Sequence, residues 1–106
     1  MSVAEIFNSM PGRFQADKAV GTNMSILFDL SGENGGQYYV DIAGGELNVT
    51  SGAPAAAPSA TVKMTADDFA AMSSGKLNPM MAFMSGKIKV DGDLNSVMKF
   101  QSLVGF

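Results

Sequence analysis

The feature that most constrains the fold is a change in the spacing of apolar residues near residue 65. Between residues 24 and 64, apolar residues alternate with polar ones, whereas residues 66–104 mostly repeat them every three or four positions. Alternation gives a strand one apolar face, and the longer spacing gives a helix an apolar stripe. The spacing therefore predicts strands followed by helices. The length of 106 residues predicts one domain, covering residues 1–106.

Alternation predicts five strands. Asn34-Gly35 is a strong signal for a hairpin between the first two, and Gly44-Gly45 turns the chain into the third. Each strand has one apolar and one mostly polar face, which is typical of an antiparallel sheet with one face in water. The apolar positions are Met24, Ile26, Phe28, Leu30, Tyr38, Val40, Ile42, Leu47, Val49, Ala60, Val62, Met64, Ile88 and Val90.

Helix boundaries are marked by capping residues. An N-terminal helix carrying Ile6, Phe7, Met10 and Phe14 is disturbed or ended near Pro11-Gly12. Thr65 with Asp68 forms a capping box, and Gly75 ends that helix. Asn78 caps the next helix, with Pro79 at its first position and Gly86 after its end, and Asp93 caps the last helix. Strands with helices over one face predict an α+β domain of two layers.

Composition excludes most catalytic chemistry. The chain has no His and no Cys, so the usual zinc sites, Ser-His-Asp triads and Cys-His pairs are impossible. The stretch DGDLNSVMKFQS, residues 91–102, begins like a calcium loop, but Ser96 replaces the turn glycine and Ser102 replaces the bidentate Glu. We therefore expect no metal, no cofactor and no enzymatic activity.

Charge and hydropathy narrow the partners and the location. The net charge is −3 and the cations are scattered, which argues against nucleic acid. Residues 61–106 are nevertheless mildly basic, with five cations and four acids, which suits a solvated surface or an anionic headgroup. The absence of Cys, of a signal peptide and of any apolar run near 18 residues predicts a cytoplasmic protein.

Two features leave alternatives open. The stretch NPMMAFMSGK, residues 78–87, forms a short helix that is apolar nearly all round, so its methionines fill a core or line an adaptable pocket. We expect Phe83 to be buried there. Gln101 lies within the apolar face of Leu94, Val97, Met98 and Val104, while Leu103 points the opposite way. Three alternatives remain for that glutamine. Its side chain is hydrogen-bonded to nearby backbone, is exposed at the fraying end of the helix, or is the one polar group in an apolar ligand cavity.

One long stretch supplies a resemblance. Residues 75–103, GKLNPMMAFMSGKIKVDGDLNSVMKFQSL, resemble the sterol carrier protein type 2 family, and the similarity extends more weakly over the whole chain. The matching elements are Gly75-Lys76-Leu77-Asn78-Pro79, Ala82-Phe83, Gly86-Lys87-Ile88-Lys89, Gly92, Met98-Lys99, Gln101 and Leu103.

The resemblance implies a five-stranded, mainly antiparallel sheet with four to five helices over one face, enclosing an apolar tunnel. Its implied function is binding and transfer of fatty acids, fatty acyl-CoA, sterols or phospholipids, without catalysis. Under this hypothesis Gln101 lies near the polar end of the ligand. Lys76 and Lys87 either contact an anionic head or, as the pattern favours, are solvated at the surface. The cavity-lining residues expected are Phe69, Met72, Met80, Phe83, Met84, Val97, Met98, Gln101 and Val104.

Family members occur alone and fused to peroxisomal enzymes. This chain lacks their C-terminal targeting tripeptide, so we expect a stand-alone carrier of the bacterial type, with a long-chain lipid as ligand and transient contact with a membrane or a partner enzyme. The alternative is an interaction module that presents an apolar groove to an enzyme of lipid or quinone metabolism.

Overall fold

Strands and helices follow the order that the apolar spacing predicts. The computed structural model describes residues 3–33, 35–52 and 57–104. A short 3-10 helix, Ala16–Ala19, which the sequence did not lead us to expect, joins α1 to β1. The other elements are α1 (Val3–Arg13), β1 (Met24–Ser31), β2 (Gly36–Ala43), β3 (Glu46–Ser51), β4 (Ala60–Thr65), α2 (Ala66–Ser73), α3 (Pro79–Met84), β5 (Lys89–Gly92) and α4 (Leu94–Val104).

The sheet has five strands in the order β3-β2-β1-β4-β5. Three of the four strand pairs are antiparallel, so the α+β class with a mainly antiparallel sheet is confirmed. The fourth pair, β1 with β4, is parallel, with Ile26 opposite Ala60. The sheet is therefore mixed. Parallel neighbours need a crossover connection. Here β2 and β3 form part of that crossover.

The core lies between the sheet and the helices and is built around stacked rings. Phe7 of α1 stacks on Phe69 of α2 at 4.9 Å and on Tyr38 of β2 at 4.2 Å between centroids. Phe28 of β1 lies 5.4 Å from Phe7 and 5.3 Å from Phe100 of α4. Offset and edge-on ring pairs of this kind are worth about 0.5–1.5 kcal/mol beyond the area they bury. One aromatic cluster thus joins three helices to the central strands.

The opposite face of the sheet is mostly polar, as alternation predicted, with Leu27 as an apolar exception. Leu27 of β1 is buried on that face, where its strand partners are Tyr39 and Thr61. Apart from Tyr39 and Ala43, the remaining positions are polar, and the exposed side chains of Lys63 and Asp91 form an ion pair at 3.0 Å.

The predicted helix caps hold the second half of the chain in place. The Thr65 hydroxyl accepts a hydrogen bond from the Asp68 amide, and Asn78 accepts from the amides of Met80 and Met81. Helix α1 continues through Pro11 and ends at Arg13, close to its predicted end. The hairpin residue Asn34 and part of the loop SGAPAAAPS, residues 53–56, lie outside the described residues.

Gly92 shows why the start of α4 needs a glycine. Its φ is +94°, and a Cβ at this position would lie 2.7 Å from the carbonyl oxygen of Ser59. The Asp93 carboxylate then accepts hydrogen bonds from the Asn95 amide and the Ser96 hydroxyl. This turn sets the direction in which α4 leaves β5 and returns across the sheet.

Candidate functional site

A cavity of about 170 Å³ lies between α3, β5 and α4. Eight of its nine lining residues are apolar, and the ninth is a glutamine. Apolar cavities with few polar groups are the usual form of a small-molecule site. The lining residues are Pro79, Met80, Phe83, Ile88, Val90, Leu94, Val97, Met98 and Gln101.

Helix α4 has two apolar faces that do different things. Phe100, Leu103 and Val104 are buried in the core. Leu94 and Met98 are 40% and 51% exposed and face the cavity, together with Val97 and Gln101. The prediction that α4 is apolar on more than one side is confirmed, and the second face is the wall of the cavity.

Helix α3 forms the outer wall of the cavity. It is six residues long, and Ala82 is its buried side chain. Met80, Met81 and Met84 are 59%, 67% and 79% exposed, and Phe83 is 41% exposed. The expected burial of Phe83 was therefore wrong, because α3 covers the open side of the cavity and presents its other face to solvent.

The nine residues expected to line a cavity are divided by the structure. Met80, Phe83, Val97, Met98 and Gln101 lie together around the cavity. Phe69, Met72 and Val104 are buried in the core cluster instead, and Met84 points away into solvent.

The two lysines expected near a headgroup lie outside the cavity wall. Lys76 borders a groove that also contains Arg13 and Asp67. Lys87 borders a separate depression, with Asp29, Lys63 and Lys89. Both lysines are exposed, one on either side of α3 in the sequence.

Four lining residues were not among those expected. Leu94 shares the helix face of Val97 and Gln101, and that spacing was a sufficient signal for it. Ile88 directly precedes β5, and Val90 lies on β5, where it pairs with Val62 of the core. Pro79 was read only as the first residue of α3. The signal that was missing is the position of β5 at the sheet edge, which leaves its apolar side chains beside α3.

Gln101 supplies the polar group of the cavity. Its side chain is half-buried and lines the cavity. An amide both donates and accepts, so it suits a hydroxyl, a carbonyl or a carboxyl group on a ligand. The site therefore combines one hydrogen-bonding group with an apolar wall.

Metal-holding groups and membrane-spanning helices are absent from residues 3–33, 35–52 and 57–104. Within these ranges there is no group of three acidic, His or Cys residues that would hold a metal ion. In the same ranges, no helix is both long enough and apolar enough to cross a membrane.

Comparison with known sequences follows the same regions. The profile of the SCP-2 sterol transfer family matches residues 7–105. Hydroxysteroid dehydrogenase-like protein 2 from Homo sapiens is 39% identical over 103 residues, which are 97% of this chain and 25% of that protein. The chain thus spans about a quarter of the length of the curated relatives it matches.

Two solved structures have the same fold. The palmitated SCP2L2 protein from Aedes aegypti has a TM-score of 0.79 and 26% identity, covering 100% of this chain and 96% of that one. The stereoselective inverting sec-alkylsulfatase Pisa1 from Pseudomonas sp. has a TM-score of 0.86 and 24% identity, covering 98% of this chain and 16% of that one. The second likeness concerns the fold alone.

Proposed function

Because the chain belongs to the SCP-2 sterol transfer family, we propose that it binds a lipid chain in the cavity between α3, β5 and α4 and transfers it without chemical change. The observation that carries the proposal is the wall of that cavity, with eight apolar residues and the single amide of Gln101. Apolar pockets use such lone polar groups to orient a ligand. The location that we propose is the cytoplasm, and fractionation of cells making the untagged protein tests it.

The cavity is smaller than a long lipid chain. An apolar cavity of about 150 Å³ holds one benzene molecule, and this one measures about 170 Å³. A long acyl chain is more than twice the size of benzene. Either part of the chain stays outside the cavity or one wall moves outward, and we propose the second, with α3 as the wall that moves.

Three properties of α3 support this role. Ala82 is the one buried side chain of α3, so few core contacts hold this helix in place. Gly75 lies after the end of α2 and Gly86 lies after the end of α3, both with φ near +80°. Met80 lines the cavity from α3, and Met98 faces it from α4. Thioether side chains rearrange easily, so the widened cavity adapts to chains of different shape.

The ligand class that we favour is a long acyl chain with a polar head. The Aedes aegypti protein of the same fold is palmitated, which supports an acyl chain over a rigid ring system. We place the head near Gln101 and the tail among Met80, Phe83 and Val97. Fatty acids, fatty acyl-CoA and phospholipids share this chemistry, and sterols offer a hydroxyl in place of the head.

Displacement of a fluorescent fatty acid tests the proposal. Val97→Phe fills part of the cavity, so we expect the affinity for acyl chains to fall at least tenfold while the fold is retained. The matched control is Val20→Phe, because Val20 is 83% exposed and is not a cavity residue. Failure of every acyl chain, acyl-CoA and sterol to displace the probe from the unmodified protein would refute lipid binding.

A second function has one observation in its favour. The chain covers only 25% of human hydroxysteroid dehydrogenase-like protein 2 and 16% of the sulfatase, so the same domain occurs within longer proteins. An accessory module that presents its apolar groove to an enzyme of lipid or quinone metabolism would fit this. Mass spectrometry of the protein purified under native conditions separates the two. Bound lipid favours the carrier, and a stable complex with an empty cavity favours the accessory module.

Enzymatic activity is a third alternative with less support. An assay for hydrolysis of an acyl thioester by the isolated chain tests it directly, and we expect no turnover above the rate without protein.

A further inference from the structure

The exposed apolar side chains are concentrated on one side of the molecule. The part of the chain that the structure describes has seven large apolar side chains that are exposed, and six of them belong to α3 or α4. Two of these, Met81 and Met84, do not line the cavity. Single exposed apolar residues are ordinary, but a contiguous group marks an interaction surface. We call Met80, Met81, Phe83 and Met84 the α3 apolar face.

The sequence segment that contains this face has a charge of the opposite sign to that of the whole protein. Residues 69–90 contain Lys76, Lys87 and Lys89 and no acidic residue, although the chain has a net charge of −3. These three lysines are exposed. A fourth exposed lysine, Lys99, follows Met98 on α4. The apolar face thus lies within a cationic segment of an acidic protein.

Acidic residues on the preceding side include Asp67, which borders the same groove as Lys76 together with Arg13. The acidic residues that follow this segment in the sequence are engaged elsewhere. The Asp91 carboxylate lies 3.0 Å from Nζ of Lys63. The Asp93 carboxylate accepts hydrogen bonds from Asn95 and Ser96 at the start of α4. Neither carboxylate forms an ion pair with the lysines on either side of α3.

We propose that the α3 apolar face docks on an anionic phospholipid bilayer. A bilayer surface places an apolar layer directly beneath a negatively charged one. The methionines of α3 match this arrangement, because a lysine lies within ten residues of them on each side in the sequence. On docking, Met81 and Met84 enter the acyl boundary, and Lys76 and Lys87 meet headgroup phosphates. A protein partner would need an apolar groove rimmed by acids to satisfy the same surface, whereas any anionic bilayer satisfies it.

Docking in this orientation has a consequence for the cavity. Met80 and Phe83 belong both to the exposed face and to the cavity wall. The cavity therefore opens towards the same side as the docking face, and a lipid chain would enter it without crossing water. Docking itself needs no lipid in the cavity, so the inference goes beyond the proposed function.

Sedimentation with vesicles tests the proposal. The probes are vesicles of phosphatidylcholine with and without phosphatidylglycerol, and the unmodified chain should bind only those containing phosphatidylglycerol. The double variant Met81→Ser with Met84→Ser should bind at least tenfold more weakly. Lys76→Gln with Lys87→Gln should lose about 25-fold at low salt, since each lysine near an anionic surface contributes about fivefold, and this loss should shrink as salt rises.

Matched controls exist for both variants. Val20→Ser removes an equally exposed apolar side chain, and Lys18→Gln removes an exposed lysine, both far from α3 in the sequence. Both controls should bind the vesicles as the unmodified chain does. Equal binding to neutral and anionic vesicles would overturn the proposal, and so would unchanged binding by the methionine variant. If the methionine variant fails to fold, the lysine variant decides alone.

Two further measurements separate docking on a bilayer from dimerisation through the α3 apolar face and from lipid binding in the cavity. Sedimentation velocity that shows a dimer, dissolved by the methionine variant, with no vesicle binding would assign the face to a second copy and overturn docking. Displacement of a fluorescent fatty acid in solution without vesicles should be unchanged in the methionine variant. A chain that binds anionic vesicles but displaces no fatty acid would support docking and refute the proposed function.

Discussion

Replacing Phe69 and Phe83 by alanine, one at a time, separates the core from the cavity. Phe69 is fully buried, with its ring 4.9 Å from that of Phe7 and 5.6 Å from that of Phe28. Removing such a ring costs about 3–5 kcal/mol. Phe83 is 41% exposed, so it has about three-fifths of a full burial to lose, which is roughly 1–2 kcal/mol.

The consequences for binding run the other way. Phe83 lines the cavity, so Phe83→Ala should weaken fatty-acid binding, whereas Phe69→Ala should leave the affinity of the folded protein unchanged. Unfolding in urea measures the free energies, and fluorescent displacement measures the affinities. Equal losses of unfolding free energy would refute the placement of the two rings. So would a folded Phe69→Ala protein that binds more weakly than Phe83→Ala.

Three further substitutions test individual contacts. Gln101→Leu should change the unfolding free energy of the ligand-free protein by no more than about 0.5 kcal/mol. It should weaken binding of ligands with a polar head by about 1 kcal/mol and leave binding of a plain hydrocarbon unchanged. A loss of stability with unchanged selectivity for the head would contradict this. Asn78→Ala removes the cap of α3, so it should cost about 1 kcal/mol and accelerate amide exchange in α3, and unchanged exchange would refute the role of that cap. Gly92→Ala should cost more than about 1 kcal/mol in urea unfolding, because of its φ of +94° and the 2.7 Å approach to Ser59, and a smaller loss would mean that the turn adapts.

Local features of the fold were predictable because their causes lie within a few residues. The Thr65 hydroxyl accepts a hydrogen bond from the backbone amide three residues later. The side-chain oxygen of Asn78 accepts from the backbone amides two and three residues later. Both caps could therefore be predicted from the sequence. The parallel pairing of β1 with β4 places Ile26 beside Ala60, although β2 and β3 lie between these residues in the sequence. Alternation determines which face of a strand is apolar and does not determine which strand lies beside it.

The cavity was only half predictable for a related reason. Helical spacing places Val97, Met98 and Gln101 on one side of α4, and Phe100 and Leu103 on another. It does not say which side meets the sheet. Phe69 and Met72 carry the same apolar character as Phe83 and Met80, and only the packing of α2 against the aromatic cluster puts them in the core. Exposure of α3 likewise depends on β5 lying at the edge of the sheet.

Methyl signals of ¹³C-labelled methionine, followed by NMR while palmitate is added, test the central claim most directly. Met80 and Met98 line the cavity, whereas Met10 and Met64 are buried in the core and serve as internal controls. We predict saturable shifts of the Met80 and Met98 methyl signals, with the Met10 and Met64 signals nearly unmoved. Shifts at Met10 and Met64 with none at Met80 and Met98, or no shift at palmitate concentrations that displace a fluorescent fatty acid, would contradict the account.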